Sequence, residues 1–322
     1  MVPISIILPV YNGMKYLPIS VESVLNQSYK NFEFLIIDDC STDNSYEYLS
    51  ALTDARIRLY KNDPNKGLFY NLNFLIKESK ASLIKLWSQD DVMYPDCIEK
   101  VVAFHLQHPD VGFSYSGRHY IDENGTLSHS DHIDITPSVI PTELHSRIAF
   151  YTGSIAGNIA NVTLTRFALE KVGLFNEKMK ISGDFDMWVR IAEFYPVGFI
   201  RQPIIQLRNH SGQLSRQEQY YILHLEEDAI VYNHLLNYNS KDQQAAGKKM
   251  LQNRKMLFYY TLMLKSLLKG HFKIAYRFYR NLKNFGSVLN LSWLFVRYRI
   301  FKETPPGVFT DSEIKEFSKL ND

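Results

Sequence analysis

This 322-residue chain has little cysteine and no long uninterrupted apolar sequence. Its two cysteines, Cys40 and Cys97, are too few for the disulfide framework that marks small secreted folds. Its longest uncharged apolar candidate, Asn284 to Val296, falls short of the roughly 18 to 20 residues that a helix needs to cross a bilayer. The chain opens Met-Val-Pro-Ile-Ser-Ile-Ile and reaches its first positive charge at Lys15, so no basic secretory leader is read. A cytoplasmic protein without spanning helices is the expectation. Internal repeats and low-complexity segments are also missing. A further scarcity is local: from Lys248 to Lys302 there are 13 Lys and Arg and no Asp or Glu. Taking those 13 from the net charge of +2 leaves about −11 on the rest, so the tail is a separate electrostatic object.

What is present suffices for a sizeable core. Hydrophobic residues make up 45% and aromatics 14%, in a length that suits one large domain plus a smaller appendage. Ile4 to Val10 is an unbroken apolar run, read as a buried strand, and Pro9-Val-Tyr-Asn-Gly13 ends it with turn residues. Leu17, Val21, Val24 and Leu25 recur at helical spacing, and Phe32 to Ile37 is a second apolar run that ends in Asp38-Asp39. Ser41 to Ser45 supplies helix caps, Ile57 to Tyr60 reads as a third strand, and Leu68 to Ile76 as a helix. This alternation predicts an α/β fold with a parallel sheet wound on both faces.

Ser82 to Asp91 is a mostly apolar strand ending in two adjacent carboxylates, Asp90 and Asp91, with Tyr94-Pro95 starting a helix. Side chains alternate along a strand, so both acids face one ligand only where the strand geometry ends. Such a pair suits a hard divalent cation whose other positions are filled by substrate phosphates; a solvated turn is the structural alternative. Ligands of wound sheets bind at the strands' carboxyl ends. Pro9 to Gly13, Asp38-Asp39, Asn65-Lys66-Gly67 and Gln89-Asp90-Asp91 each follow a strand, so all are expected to line one crevice. A nucleotide there needs an acceptor for a ring N–H, which Asp39 offers, and phosphate donors, which Asn65-Lys66-Gly67 offers.

Ile6-Ile-Leu-Pro-Val-Tyr-Asn12, Phe34-Leu-Ile-Ile-Asp-Asp39 with Ser41, Asn65 with Gly67, and Gln89-Asp90-Asp91 together resemble family 2 glycosyltransferases. Those are nucleotide-sugar enzymes of the GT-A fold, and the resemblance runs roughly from Pro3 to Ser215. It implies a UDP-sugar site lined by Pro9, Tyr11, Asn12, Asn65 and Gly67, with Asp39 pairing with the base. It also implies that Asp91 is the main ligand for Mg2+ or Mn2+ in an Asp-x-Asp-type motif. Gln89 replaces the first acid of that motif, so Asp90 is expected to face sugar and ribose hydroxyls.

Gly183-Asp184-Phe185-Asp186-Met187-Trp188 opens a helical pattern, which places Asp184 at a helix N-terminus, where capping is its structural role. By resemblance, Asp184 matches the catalytic base of inverting members, with Gly183 in place of the Glu that precedes it. Asp186 is its rival, two positions along and nearly opposite on the helix. Pro196 to Ile200 and Ile204 to Leu207 read as edge strands. They precede Arg208-Asn-His210, where the family's Arg-x-His segment implies an approach to the diphosphate, with Ser211-Gly212 as a mobile loop. Between them, Arg118 to about Thr152 reads as a long polar loop, and His129, Asp131 and His132 within it form a weaker metal candidate.

From Tyr220 the pattern is helical. Leu251, Leu257, Phe258, Leu262, Leu264 and Leu268 form apolar faces among basic residues, and Phe272, Tyr276, Tyr279, Leu282 and Phe285 repeat the design. Such helices either lie on an anionic membrane surface or pack as core or as a homodimer interface. The expected organisation is a GT-A catalytic domain over 1–217, with a nucleotide-sugar half 1–117 and an acceptor half 118–217, then a basic helical region 218–322. The expected activity is metal-dependent, inverting, non-processive transfer of one sugar from a UDP-sugar to a glycan or lipid-linked hydroxyl. The setting would be bacterial surface polysaccharide synthesis at the inner face of the cell membrane, with no nucleic-acid partner. Processive relatives carry spanning helices and a Gln-x-x-Arg-Trp motif, and neither is read here. A nucleotidyltransferase would want a glycine-rich loop after the first strand, where this chain has one glycine. A non-catalytic membrane-associated scaffold is the other alternative.

Overall fold

The computed structural model describes residues 4–128, 134–210, 212 and 220–319. Two compact units emerge, one from Met1–Thr142 with Ala156–Ser211 and one from Glu143–Ile155 with Gly212–Leu320. The first begins with the expected alternation: β1 (Ile4–Val10), α1 (Leu17–Leu25), β2 (Phe32–Asp38), α2 (Ser45–Ser50), β3 (Ile57–Lys61), α3 (Leu68–Glu78) and β4 (Leu83–Leu86). It continues through β5 (Val92–Met93), α4 (Cys97–Gln107), β6 (Phe113–Ile121), β7 (Leu127–Ser128) and β8 (Val139–Ile140). Helix α5 (Thr142–Thr152) follows, then β9 (Thr163–Thr165), α6 (Arg166–Val172), α7 (Gly183–Ala192) and β10 (Val197–Arg208).

Among the described residues these strands form one sheet in the order β3-β2-β1-β4-β9-β6-β10-β5, with β7 on β6 and β8 on β10. Strands β3, β2, β1 and β4 are parallel, with Ile4 opposite both Phe32 and Leu83. Helices cover both faces there, which is why β1 and β2 read as near-continuous apolar runs. Ile6, Leu8, Val10, Phe34, Ile36 and Trp87 belong to the main apolar core. The chain winds from β1 outward through β2 and β3, then returns to β1's other side as β4, so the strand order reverses between β1 and β4. That reversal opens a crevice at the carboxyl ends. Farther along, β9 runs antiparallel between β4 and β6, and β10 is parallel to β6.

Two expectations are corrected. Pro196 to Ile200 and Ile204 to Leu207 are not separate edge strands but one strand, β10, paired with β6 on one side and with β5 and β8 on the other. Pro203 cannot donate to a ladder, and it sits where the register shifts, an irregularity that lets one strand read as two. The polar stretch to Thr152 is not all loop either, because α5 occupies its end. Its buried positions include His145 and Ser146, which conceal the helical stripe. Helix α5 belongs to the second unit: Ser146 Oγ is 3.0 Å from Tyr238 Oη, and Arg147 pairs with Glu313.

That second unit continues with α8 (Tyr221–Tyr238), α9 (Lys241–Leu251), α10 (Leu257–Leu268), α11 (Phe272–Leu282), α12 (Val288–Phe295) and α13 (Asp311–Lys319). A capping box between Ser240 and Gln243 opens α9. π-helical turns at Gln252–Met256 and Val296–Ile300 extend α9 and α12. Leu251, Leu257, Met263, Phe278, Leu282 and Phe285 are buried, and Tyr259 Oη donates to Asp228 Oδ2 at 2.8 Å. Part of the tail's apolar pattern is therefore core. No helix of the described residues is long and apolar enough to cross a membrane.

Candidate active site

Strand ends bring the expected loops together at the β1–β4 crevice. Tyr11 N donates to Gln89 Oε1 at 2.9 Å, and Gln89 Nε2 donates back to the Tyr11 carbonyl at 3.0 Å. The Gln89 amide thus ties the loop after β1 to the loop after β4. A Cβ on Gly13 would stand 2.6 Å from Gln89 Oε1, so a side chain there would push that amide off its backbone partners. Asn12 adopts a φ of 50°, its N–H donates to Ser41 Oγ, and its Oδ1 accepts from Thr42 N at 2.8 Å. Pro9 stays in β1 opposite Ile37, while Tyr11 is half exposed above it.

Asp39 organises the neighbouring loop. Its Oδ1 accepts from Asn62 Nδ2 and Lys66 N, each at 2.7 Å, its Oδ2 accepts from Gly67 N at 2.8 Å, and its carbonyl accepts from Asn65 Nδ2 at 3.0 Å. The Lys66 and Gly67 amides, expected to face phosphate, are turned to this carboxylate instead. A carboxylate has about four acceptor positions, so one remains on Oδ2 for a base N–H. Asp38 points the other way, fully buried, with Oδ1 accepting from Ser41 N and Oδ2 without a partner among the described residues.

Asp90 and Asp91 separate in role as the strand ends. Asp90 accepts from Ser88 Oγ on one oxygen and lies 3.0 Å from His210 Nε2 on the other. Asp91 is 1% exposed; its Oδ1 accepts from Arg208 N at 2.8 Å and its Oδ2 from Asn158 Nδ2 at 3.5 Å. Burial first, and then the Asp90 charge, push the Asp91 carboxyl well above the usual carboxylate range. Lys85, fully buried in β4, donates to the Ala160 carbonyl at 2.5 Å, and burial lowers its ammonium to about 8.

Arg208 differs from expectation. Its guanidinium is buried, donates to the carbonyls of Asp90 at 2.9 Å and Asp122 at 3.0 Å, and lies 4.5 Å from the Tyr16 ring centre. It cements the site's wall, and its backbone N–H bonds Asp91 while its charge also favours the Asp91 carboxylate. His210 is partly buried, 5.2 Å from the same Tyr16 ring. Sequence reasoning missed Asn158, Tyr16 and Asn62, since single amides and tyrosines in loops carry no spacing signal. His129, Asp131, His132 and Ser211 lie outside the described residues.

Asp184 lies in the first turn of α7, where its Oδ1 accepts from Phe185 N at 2.7 Å. Asp186 Oδ2 instead takes Arg190 Nε and Nη2, each at 2.8 Å. Gly183 packs on Phe69 near the start of α3, the helix that Gly67 caps. Asn73 of α3 also exchanges two hydrogen bonds with Phe175, each 2.9 Å. The start of α7 is thereby held beside the start of α3.

Residues 5–172 match the profile described as Glycosyl transferase family 2. The chain belongs to that family. It is 33% identical over 218 residues to an uncharacterized glycosyltransferase of Rickettsia conorii, covering 66% of this chain and 35% of that one. The chain thus spans about a third of that relative's length. It is 30% identical over 194 residues to the putative colanic acid biosynthesis glycosyl transferase WcaA of Escherichia coli, covering 60% and 67%. The crystal structure of Staphylococcus aureus TarS 1–349 in complex with UDP-GlcNAc superposes with a TM-score of 0.69 at 17% identity, covering 99% of this chain and 90% of that one. The fold is GT-A.

Within the family pattern, two departures have structural reasons. A Cβ at Gly183 would come within 2.7 Å of the Phe69 ring, so the Glu that the resemblance implies there would have to displace that ring. Gln89 replaces an acid and works on backbone, which leaves Asp90 and Asp91 as the carboxylates. No group of three or more His, Cys, Asp or Glu that could hold an ion occurs among the described residues. The donor set nonetheless fits a hard cation with substrate oxygens completing its shell. Asp91 is a buried carboxylate with a neighbouring negative charge, and the buried Asn158 Oδ1 beside it has no partner among the described residues.

Proposed function

We propose that the chain is an inverting, metal-dependent, non-processive glycosyltransferase that moves one sugar from a UDP-sugar to a hydroxyl of a glycan or lipid-linked acceptor. The observation that carries this reading is the convergence of Asn12, Asp39, the Asn65–Gly67 loop, Asp90, Asp91 and His210 on strand ends of one family 2 sheet. The TarS complex with UDP-GlcNAc supports a UDP-sugar donor. The colanic acid name of the E. coli relative supports a role in surface polysaccharide synthesis. A nucleotidyltransferase fits less well, because the first loop has one glycine and the family profile is that of a glycosyl transferase.

The acceptor oxygen forms a bond to the anomeric carbon while the bond from that carbon to the UDP oxygen breaks, and the electron pair leaves with UDP. Asp184 takes the acceptor's proton. Asp39 Oδ2 accepts a ring N–H of the base, and His210 serves the diphosphate. Asp91, with Asp90 and Asn158, would hold Mg2+ or Mn2+, which when bound neutralises charge on the departing diphosphate. A panel of UDP-sugars, assayed for UDP release with acceptor mixtures in Mg2+ or Mn2+ and in chelator, tests the reading. UDP release that requires the cation is expected. Release undiminished by chelator, or none from any UDP-sugar, overturns it.

A further inference from the structure

The helical unit has surface features that sugar transfer does not require. On α10, Phe258, Thr261, Leu262 and Lys265 follow one another at helical spacing. With Phe295 of α12 and Arg299 of the following π turn they line a groove of about 380 Å³. A second groove of about 210 Å³ shares Leu262 and Lys265 and is bordered by Lys269 and His271. Each groove is apolar inside and cationic at its rim, the pattern that an amphiphile with an anionic head requires.

Lys265 and Arg299 are open to a partner. Both are exposed and form no ion pair among the described residues, whereas Arg277 pairs with Glu226 and Arg297 with Glu303. The stretch containing both grooves' cations has no acid from Lys248 to Lys302. Large apolar side chains stand out next to them in sequence. Leu268 is 88% exposed and Phe272 70%, on the turn that follows Lys265, and Phe301 is 66% exposed beyond Arg299. Core packing accounts for Leu251, Leu257, Leu282 and Phe285, but not for these. Basic residues with protruding apolar side chains suit the interface of an anionic bilayer.

We propose that this face of the helical unit docks on an anionic membrane, with a lipid phosphate between Lys265 and Arg299 and its hydrocarbon against Phe258, Leu262 and Phe295. A second copy of the chain is the competing occupant; packed face to face on this stretch, which has no acid from Lys248 to Lys302, it would bring further cations to Lys265 and Arg299. The site is independent of the catalytic reading, because none of its residues belongs to the sheet unit.

The full chain is sedimented with phosphatidylcholine vesicles with and without about a third phosphatidylglycerol, at low and high salt. Wild type should pellet only with the anionic vesicles and be released by salt. Lys265→Gln with Arg299→Gln should weaken that binding about tenfold to thirtyfold, since each basic residue at such a surface contributes on the order of a fivefold factor. Leu268→Ser with Phe272→Ser should weaken it as well. UDP-sugar turnover in solution should be the same for all variants, which separates this test from that of the activity. Any of three results overturns the proposal: wild type remaining in the supernatant at low salt, the Gln pair binding like wild type, or wild type forming a dimer that the Gln pair abolishes. Release by millimolar inorganic phosphate at constant ionic strength would show a free-phosphate site and would overturn the lipid assignment.

Discussion

Replacing Asp184 and Asp186 one at a time with Asn should divide catalysis from stability. The Asp186 side chain is 13% exposed and that of Arg190 19%, and two guanidinium nitrogens reach one carboxylate oxygen at 2.8 Å. The same guanidinium donates to the carbonyls of Val172 and Leu174, so it also pins the segment that leaves α6. Hydrogen bonds to charged groups contribute about 1.5–3 kcal/mol, and Asn retains one neutral acceptor, so Asp186→Asn should cost about 1–2 kcal/mol. For a unit of this size that lowers Tm by about 2–8 °C. Asp184 accepts a backbone N–H at the start of α7, which Asn can also accept, and the lost charge at the helix N-terminus costs under about 1 kcal/mol of helix-dipole energy. Its turnover should nonetheless fall by about two to four powers of ten, with UDP affinity retained. Thermal melts, calorimetry with UDP, and UDP-release kinetics well below Tm read these outcomes. If Asp186→Asn is the inactive protein and Asp184→Asn turns over normally, the base has been misassigned by two positions.

In calorimetry with UDP and Mn2+, Asp91→Ala should bind at least about tenfold more weakly than wild type, and chelator should remove the difference; wild-type affinity in both conditions refutes the cation assignment. His105, on α4, bonds Ser114 Oγ at 2.9 Å, and burial holds its imidazole down to about 4. The unfolded chain takes that proton near pH 6.5 and the folded chain does not, so stability is lost as pH falls from about 6.5 to 4, by about 3 kcal/mol at the acid end. Urea midpoints at pH 7 and 4.5 should therefore differ less in His105→Gln than in wild type, and equal differences refute the linkage.

How far the sequence carried depended on what each residue packs against. Strands β1, β2 and β4 were legible because burial on both faces favours apolar runs, and the loops at the strand ends followed from the winding. Helix α5 was not, because its buried side includes His145 and Ser146, and polar residues inside an interface look like loop. Strand β10 was split in two by Pro203, which breaks the pattern without ending the strand. In the tail, one apolar pattern served two environments: Tyr259 is buried against Asp228, whereas the adjacent Phe258 lines an open groove. Periodicity identifies a face but not what covers it.

The site was legible as a set of positions rather than as a set of roles. Each acidic pair shows why. Asp38 and Asp39 are adjacent, yet one is sealed in the sheet and the other takes three hydrogen bonds from the loop that it shapes. Asp90 is engaged by Ser88 and His210, while Asp91 is buried where its charge is poorly compensated. Asp186 is claimed by Arg190, four residues on, while Asp184 accepts the backbone N–H of Phe185. In the second pair burial, not spacing, sets the two acids apart, and in the third a guanidinium already holds Asp186. Arg208 is decided in the same way: its guanidinium donates to the carbonyls of Asp90 and Asp122 and is committed to the site's wall. A partner several residues or several strands away decides which member reacts, and motif spacing does not encode that partner.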